Sequence, residues 1–77
     1  MDVVLMSTGA CSLCEQALDL LISMPELRGT TLTVRDVALD DALTARYGAR
    51  LPVLCAGARE LDWPFDRAAV AQLLRAG

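Results

Sequence analysis

The stretch Asp2-Val3-Val4-Leu5-Met6 is an almost unbroken β-branched and aliphatic run, and it constrains this chain more than any other feature. A strand that is apolar on both faces has to be covered on both, so the remaining residues must supply a layer above it and a layer below. With 77 residues, one domain spanning 1–77 is all the chain can build. The hydrophobic fraction of 55% against 22% charged offers enough apolar surface to offset chain entropy, which argues against disorder.

The run ends at Ser7-Thr8-Gly9, a turn cluster. A helical pattern follows from about Ser12 to Met24, with Leu13, Ala17, Leu20, Leu21 and Met24 forming an apolar stripe and Ser12, Glu15, Gln16, Asp19 and Ser23 opposite. Pro25 and Gly29 mark its exit. In Thr30–Val37, Leu32 and Val34 alternate with Thr31, Thr33 and Arg35, the signature of a strand with one wetter face, at a sheet edge. Asp40 or Asp41 caps a short helix that ends at Tyr47 before Gly48. Pro52 opens Val53-Leu54-Cys55, and Ala56-Gly57 turns the chain into Arg59–Asp62, a short hairpin. Asp66 caps a last helix carrying Val70, Leu73 and Leu74 on one side. The order is β-α-β-α-β-β-α. A right-handed crossover makes the first two strands parallel, the hairpin adds antiparallel ones, and helices cover both faces of a four-stranded mixed sheet.

Composition narrows the chemistry. A net charge of -3 and scattered arginines leave no basic stripe to track a phosphate backbone, so no nucleic-acid partner is expected. The chain has no lysine and no histidine, which removes the usual general base, the commonest metal ligand and Schiff-base chemistry. Cysteines and carboxylates are the reactive groups left. The opening MDVVLMSTGAC has an acid at position 2, no basic segment and too short an apolar run for a signal peptide. No stretch approaches the roughly 18 apolar residues of a membrane span, so no membrane partner is expected. A cytoplasmic location is the expectation, where a structural disulfide is disfavoured, and the odd count of three cysteines agrees with that.

Cys11 and Cys14 therefore carry the functional argument. A Cys-x-x-Cys on the first turn of a helix, directly after a buried strand, sets a sulfur on unpaired backbone N–H groups and the positive end of the helix dipole. At about 100° per residue, Cys14 lies roughly 50° from the middle of the apolar stripe and Cys11 roughly 110° away, at its margin. Cys14 is thus expected to point inward and Cys11 to face solvent, so that Cys11 attacks a disulfide and Cys14 resolves the mixed disulfide. A helix N-terminus favours an anion by up to about 2 kcal/mol. Glu15 works against this, and Arg50 adds positive charge only if folding brings it close. Zinc wants four ligands, which this chain supplies only with carboxylates or a second copy; two inert buried cysteines are the other alternative. Cys55, in phase with Val53, reads as a small buried hydrophobe or as a third redox thiol. Trp63 and Phe65 pack the last helix or form an apolar lip for a protein substrate, and Tyr47 ends its helix against the core or shields the site.

Taken together, strand-CSLC-helix, the later YGARLPVL, the hairpin and the DWPFD-helix resemble the small glutaredoxin-like proteins of the thioredoxin superfamily, over essentially the whole chain. The resemblance implies an α/β thioredoxin-like fold and a thiol-disulfide oxidoreductase with Cys11 as nucleophile and Cys14 as resolving thiol. It implies a cis Leu51–Pro52 bond beside the cysteines, with the Leu51 backbone pairing with an extended peptide or with glutathione. Asp66 and Arg50 are the residues left to meet the glutathione carboxylates or amine. The chain departs from the glutathione-binding pattern in three places. Gly9-Ala10 stands where a basic residue precedes the cysteines, Arg50-Leu51-Pro52 replaces a Thr-Val-Pro stretch, and Trp63–Asp66 replaces a Gly-Gly-Asp turn. No resident cofactor or metal is expected. The partners implied are a disulfide-containing protein or glutathione as substrate, and a reductase or glutathione as electron donor, with the chain acting as a monomer. Two readings from other classes stand beside this one: a non-catalytic module binding a peptide along the Leu51–Pro52 edge, and a metal or iron–sulfur carrier formed by two chains through Cys11.

Overall fold

The computed structural model describes residues 2–9 and 11–76, so Ala10 lies outside the described residues. Strand β1 covers Asp2–Ser7, helix α1 Ser12–Ile22, strand β2 Thr31–Asp36, helix α2 Asp41–Tyr47, strand β3 Val53–Ala56, strand β4 Arg59–Asp62 and helix α3 Arg67–Ala76. The sheet order is β2-β1-β3-β4, with β1 and β2 parallel and the pairs β1–β3 and β3–β4 antiparallel. The apolar run is therefore a central strand, and the Thr-rich strand is an edge.

The alternation of strand side chains divides the interior into two cores. Val3 and Leu5 of β1, with Leu54 and Ala56 of β3, pack against Ala17 and Leu21 of α1 and Val70 and Leu73 of α3. Met6 and Val53, one position out of phase, pack on the opposite face with Val37, just after β2, and Tyr47 of α2. This is the two-sided cover that the β1 run demands. Local signals make the elements. Asp40 Oδ1 accepts the N–H groups of Ala42 and Leu43 at 2.9 and 3.3 Å, which starts α2. Asp66 Oδ1 accepts the Ala69 N–H at 2.8 Å, which starts α3. The hairpin turn carries Gly57 at φ +62°, a conformation costly to any residue with a Cβ.

Three expectations need correction. The first helix stops at Ile22 rather than Met24. Met24 is extended at φ −92°, ψ 116° because the proline after it disfavours the α conformation, yet its side chain still reaches the first core. Leu13 is not part of the buried stripe: it is 45% exposed, and Cys14 takes its place facing inward. Val34 stays about half exposed while Leu32, two residues earlier on the same face, packs against the first core.

Candidate functional site

Cys11 is the N-cap residue of α1, extended at φ −118°, ψ 103°. Its carbonyl accepts the Glu15 N–H at 3.1 Å, and its sulfur accepts the Cys14 N–H at 3.2 Å. The sulfur thus does the work that a serine or aspartate oxygen does at most helix starts. Cys14, one turn along the helix, is 3% exposed, whereas Cys11 is only half-buried. The two are joined in a disulfide, their Cα atoms 5.2 Å apart. Between them Ser12 and Leu13 face outward.

The loop before β3 comes to the same end of the sheet. Val53 pairs with Met6, so Pro52 stands level with Ser7, where β1 ends and the chain leads on to Cys11. Pro52 is buried, and its carbonyl accepts the Trp63 N–H at 3.1 Å, which ties the loop to the end of β4. The Leu51–Pro52 and Trp63–Pro64 peptide bonds are both cis. Leu51 is half-buried, and among the described residues its backbone N–H and carbonyl form no hydrogen bond.

Arg50 is engaged elsewhere. Its Nη2 donates to Asp62 Oδ1 at 2.7 Å and to Glu60 Oε1 at 2.9 Å, and its Nε to Asp62 Oδ2 at 3.3 Å. Arg46 Nη2 and the Tyr47 hydroxyl both donate to Glu60 Oε2, at 3.1 and 2.7 Å. Both guanidinium groups lie over the Tyr47 ring, 5.4 and 5.5 Å from its centroid. The physical consequences are mutual. The Tyr47 hydroxyl and then Arg50 hold the Glu60 carboxyl down at about 2. The hydrogen bond to Glu60, followed by burial, pushes Tyr47 up to about 12. Asp62 and then Glu60 hold Arg50 firmly in its charged form. Asp66, for its part, is exposed and uses one carboxylate oxygen to cap α3.

Cys55 lies on the α2 face with Val53, across the sheet from the layer to which α1 belongs. Its sulfur sits 3.9 Å from the Tyr47 hydroxyl, and burial pushes its thiol up. Phe65 fills the first core, with Trp63 edge-on against it at 5.0 Å. Among the described residues, no group of three or more histidine, cysteine, aspartate or glutamate side chains is gathered as a metal-binding set, and no helix is long and apolar enough to cross a membrane.

The Tyr47–Glu60–Arg50–Asp62 network is the part of this region that sequence reasoning missed. Its trace is visible in retrospect: Arg46 and Arg50 are four residues apart, while Glu60 and Asp62 alternate on one strand face. Only the β3–β4 register and the placement of α2 bring the two pairs together.

A parallel β1–β2 pair joined by a helix, an antiparallel hairpin, and a cysteine pair at the first turn of α1 define a thioredoxin-like protein. Residues 2–75 match the family described as Glutaredoxin-like domain (DUF836), and the chain belongs to that family. It is also similar to two solved structures of one protein, Northeast Structural Genomics target protein XcR50 from X. campestris. The X-ray structure is 36% identical over 97% of each chain, with a TM-score of 0.81. The solution structure is 36% identical over 100% of this chain and 96% of that one, with a TM-score of 0.80. No curated protein matches the chain.

Proposed function

We propose that this protein is a thiol-disulfide oxidoreductase in which Cys11 attacks and Cys14 resolves. The observation that carries the proposal is the asymmetry of the pair, a half-buried Cys11 sulfur accepting a backbone N–H at the start of α1 and a Cys14 buried one turn away. In the reduced protein the same N–H and the helix dipole favour the Cys11 thiolate over the thiol. That thiolate attacks one sulfur of a substrate disulfide; a new S–S bond forms to Cys11, and the other substrate half leaves as a thiolate that takes its proton from water. Cys14, losing its own proton, then attacks the Cys11 sulfur and expels the second half. The substrate gains two electrons and becomes two thiols, while the protein is left with the Cys11–Cys14 disulfide. A thiol or dithiol reductant, either glutathione or a reductase, returns it to the dithiol.

Leu51 and Pro52 are assigned to substrate binding. The unpaired Leu51 backbone groups, at the same end of the sheet as Cys11, suit the edge pairing by which an extended peptide adds to a sheet. We assign the protein to the cytoplasm, where such a reductant is present. The test is turnover of a mixed disulfide by wild type, Cys11→Ser and Cys14→Ser. Loss of turnover in Cys11→Ser is the expected result; turnover that persists there overturns the assignment.

A further inference from the structure

Resting on the disulfide-exchange reading above, we propose that Glu15, with the ion cluster that neutralises Arg50, directs the site to cystines with neutral or basic flanks and against anionic disulfides such as that of glutathione. Glu15 lies four residues after Cys11, and its N–H donates to the Cys11 carbonyl. That bond closes the first turn of α1, so Glu15 stands one helical turn from the N-cap whose sulfur attacks. The Glu15 side chain is exposed, and among the described residues it has no ion-pair or hydrogen-bond partner. An incoming disulfide therefore meets a carboxylate on the first turn of the helix that Cys11 caps, a turn that also carries the apolar Leu13, which is 45% exposed.

The cation that would answer an anionic ligand is already used. Arg50, adjacent to the Leu51–Pro52 edge, is held by Asp62 at 2.7 Å and Glu60 at 2.9 Å. Glu60 is shared with Arg46 at 3.1 Å, so two guanidinium groups and two carboxylates cancel. Asp66 has committed an oxygen to the α3 N-terminus. Each glutathione half of the oxidised disulfide carries two carboxylates and one ammonium, a net single negative charge that neither Glu15 nor this neutral cluster attracts. A peptide cystine flanked by apolar or basic residues carries no such penalty.

Two unit charges about 6 Å apart in water change an encounter by roughly threefold, an effect that salt screens. The experiment follows opening of three probes by the reduced protein: cystamine (cationic), 2-hydroxyethyl disulfide (neutral) and glutathione disulfide (anionic). Each rate is divided by that of 2-mercaptoethanol with the same probe, which removes the intrinsic reactivity of the disulfide. At about 20 mM salt the corrected rates should fall in the order cystamine, neutral probe, glutathione disulfide, with a spread of roughly fivefold to tenfold. At about 500 mM salt the spread should shrink to roughly twofold. Glu15→Gln should remove most of that spread at low salt, and Asp62→Asn should selectively speed glutathione disulfide. Glutathione disulfide reacting as fast as cystamine, or a spread untouched by Glu15→Gln, overturns the inference while leaving disulfide exchange intact. Failure of all three probes to react overturns the oxidoreductase reading and this inference with it.

Discussion

Truncating Leu21 and Leu13 to alanine tests the rotation of α1, on which the inward Cys14 and outward Cys11 both depend. Leu21 is fully buried among Val3, Leu5, Ala17 and Leu54. Leu→Ala at such a site loses the transfer energy of the side chain and leaves a partly unfilled cavity, about 3 kcal/mol in all. A chain of this length has a total stability of about 4–12 kcal/mol, so Leu21→Ala removes a large share of it. Leu13, 45% exposed, leaves little cavity, and its truncation should cost about 0.5 kcal/mol. Urea unfolding of the oxidised protein, followed by the fluorescence of Trp63, the single tryptophan, reports both. With a slope of about 1 kcal/mol per molar urea, the Leu21→Ala midpoint should drop by roughly 3 M and the Leu13→Ala midpoint by roughly 0.5 M. Equal losses for the two variants would place Leu13 in the core and rotate Cys14 toward solvent, which refutes the description of the pair.

Further outcomes follow from the network on the α2 face. Glu60 is held at about 2, below its ordinary 4.5, so its contribution to stability is fully present above about 4.5 and is lost as pH falls toward 2; Glu60→Gln should flatten that acid limb of a pH-stability curve. Tyr47 is raised to about 12 from 10.0, so its contribution holds below pH 10 and is lost as pH rises toward 12; Tyr47→Phe should remove that alkaline limb. Burial keeps the Cys55 thiol protonated, so in the reduced protein an alkylating agent at neutral pH should label Cys55 far more slowly than Cys11, as peptide mass analysis will read out.

The order of elements, the parallel and antiparallel pairings, the cap at Asp66 and a cap at Asp40 or Asp41, which the structure settles as Asp40, were legible because each rests on a local signal: period, turn chemistry or a capping carboxylate. The placement of the cysteine pair was legible for the same reason, since it rests on a helix start and a spacing of three. Leu13 shows where local reading stops. Leu13 and Cys14 are consecutive, about 100° apart around the helix, and which of them is buried depends on how α1 lies on Val3 and Leu5, which no periodicity records. Val34 fails for a related reason, because alternation says which face a residue shares but not how far the cover extends over an edge strand. Arg50 is the instructive case at the site. Its position beside Leu51–Pro52 could be read along the chain, but its partners lie on β4, ten and twelve residues away, and only the hairpin register aims Glu60 and Asp62 at it.

The most direct measurement of the central claim is a trapping experiment on the two variants that each lack one cysteine of the pair. Reduced Cys14→Ser, which keeps Cys11 but lacks the proposed resolving thiol, is incubated with 2-hydroxyethyl disulfide, and the intact protein and its peptides are weighed by mass spectrometry. The account predicts a stable adduct of one mercaptoethanol per protein on Cys11, and none on Cys14 in Cys11→Ser under the same conditions. An adduct that forms as readily on Cys14, or on Cys55 in either variant, would contradict it.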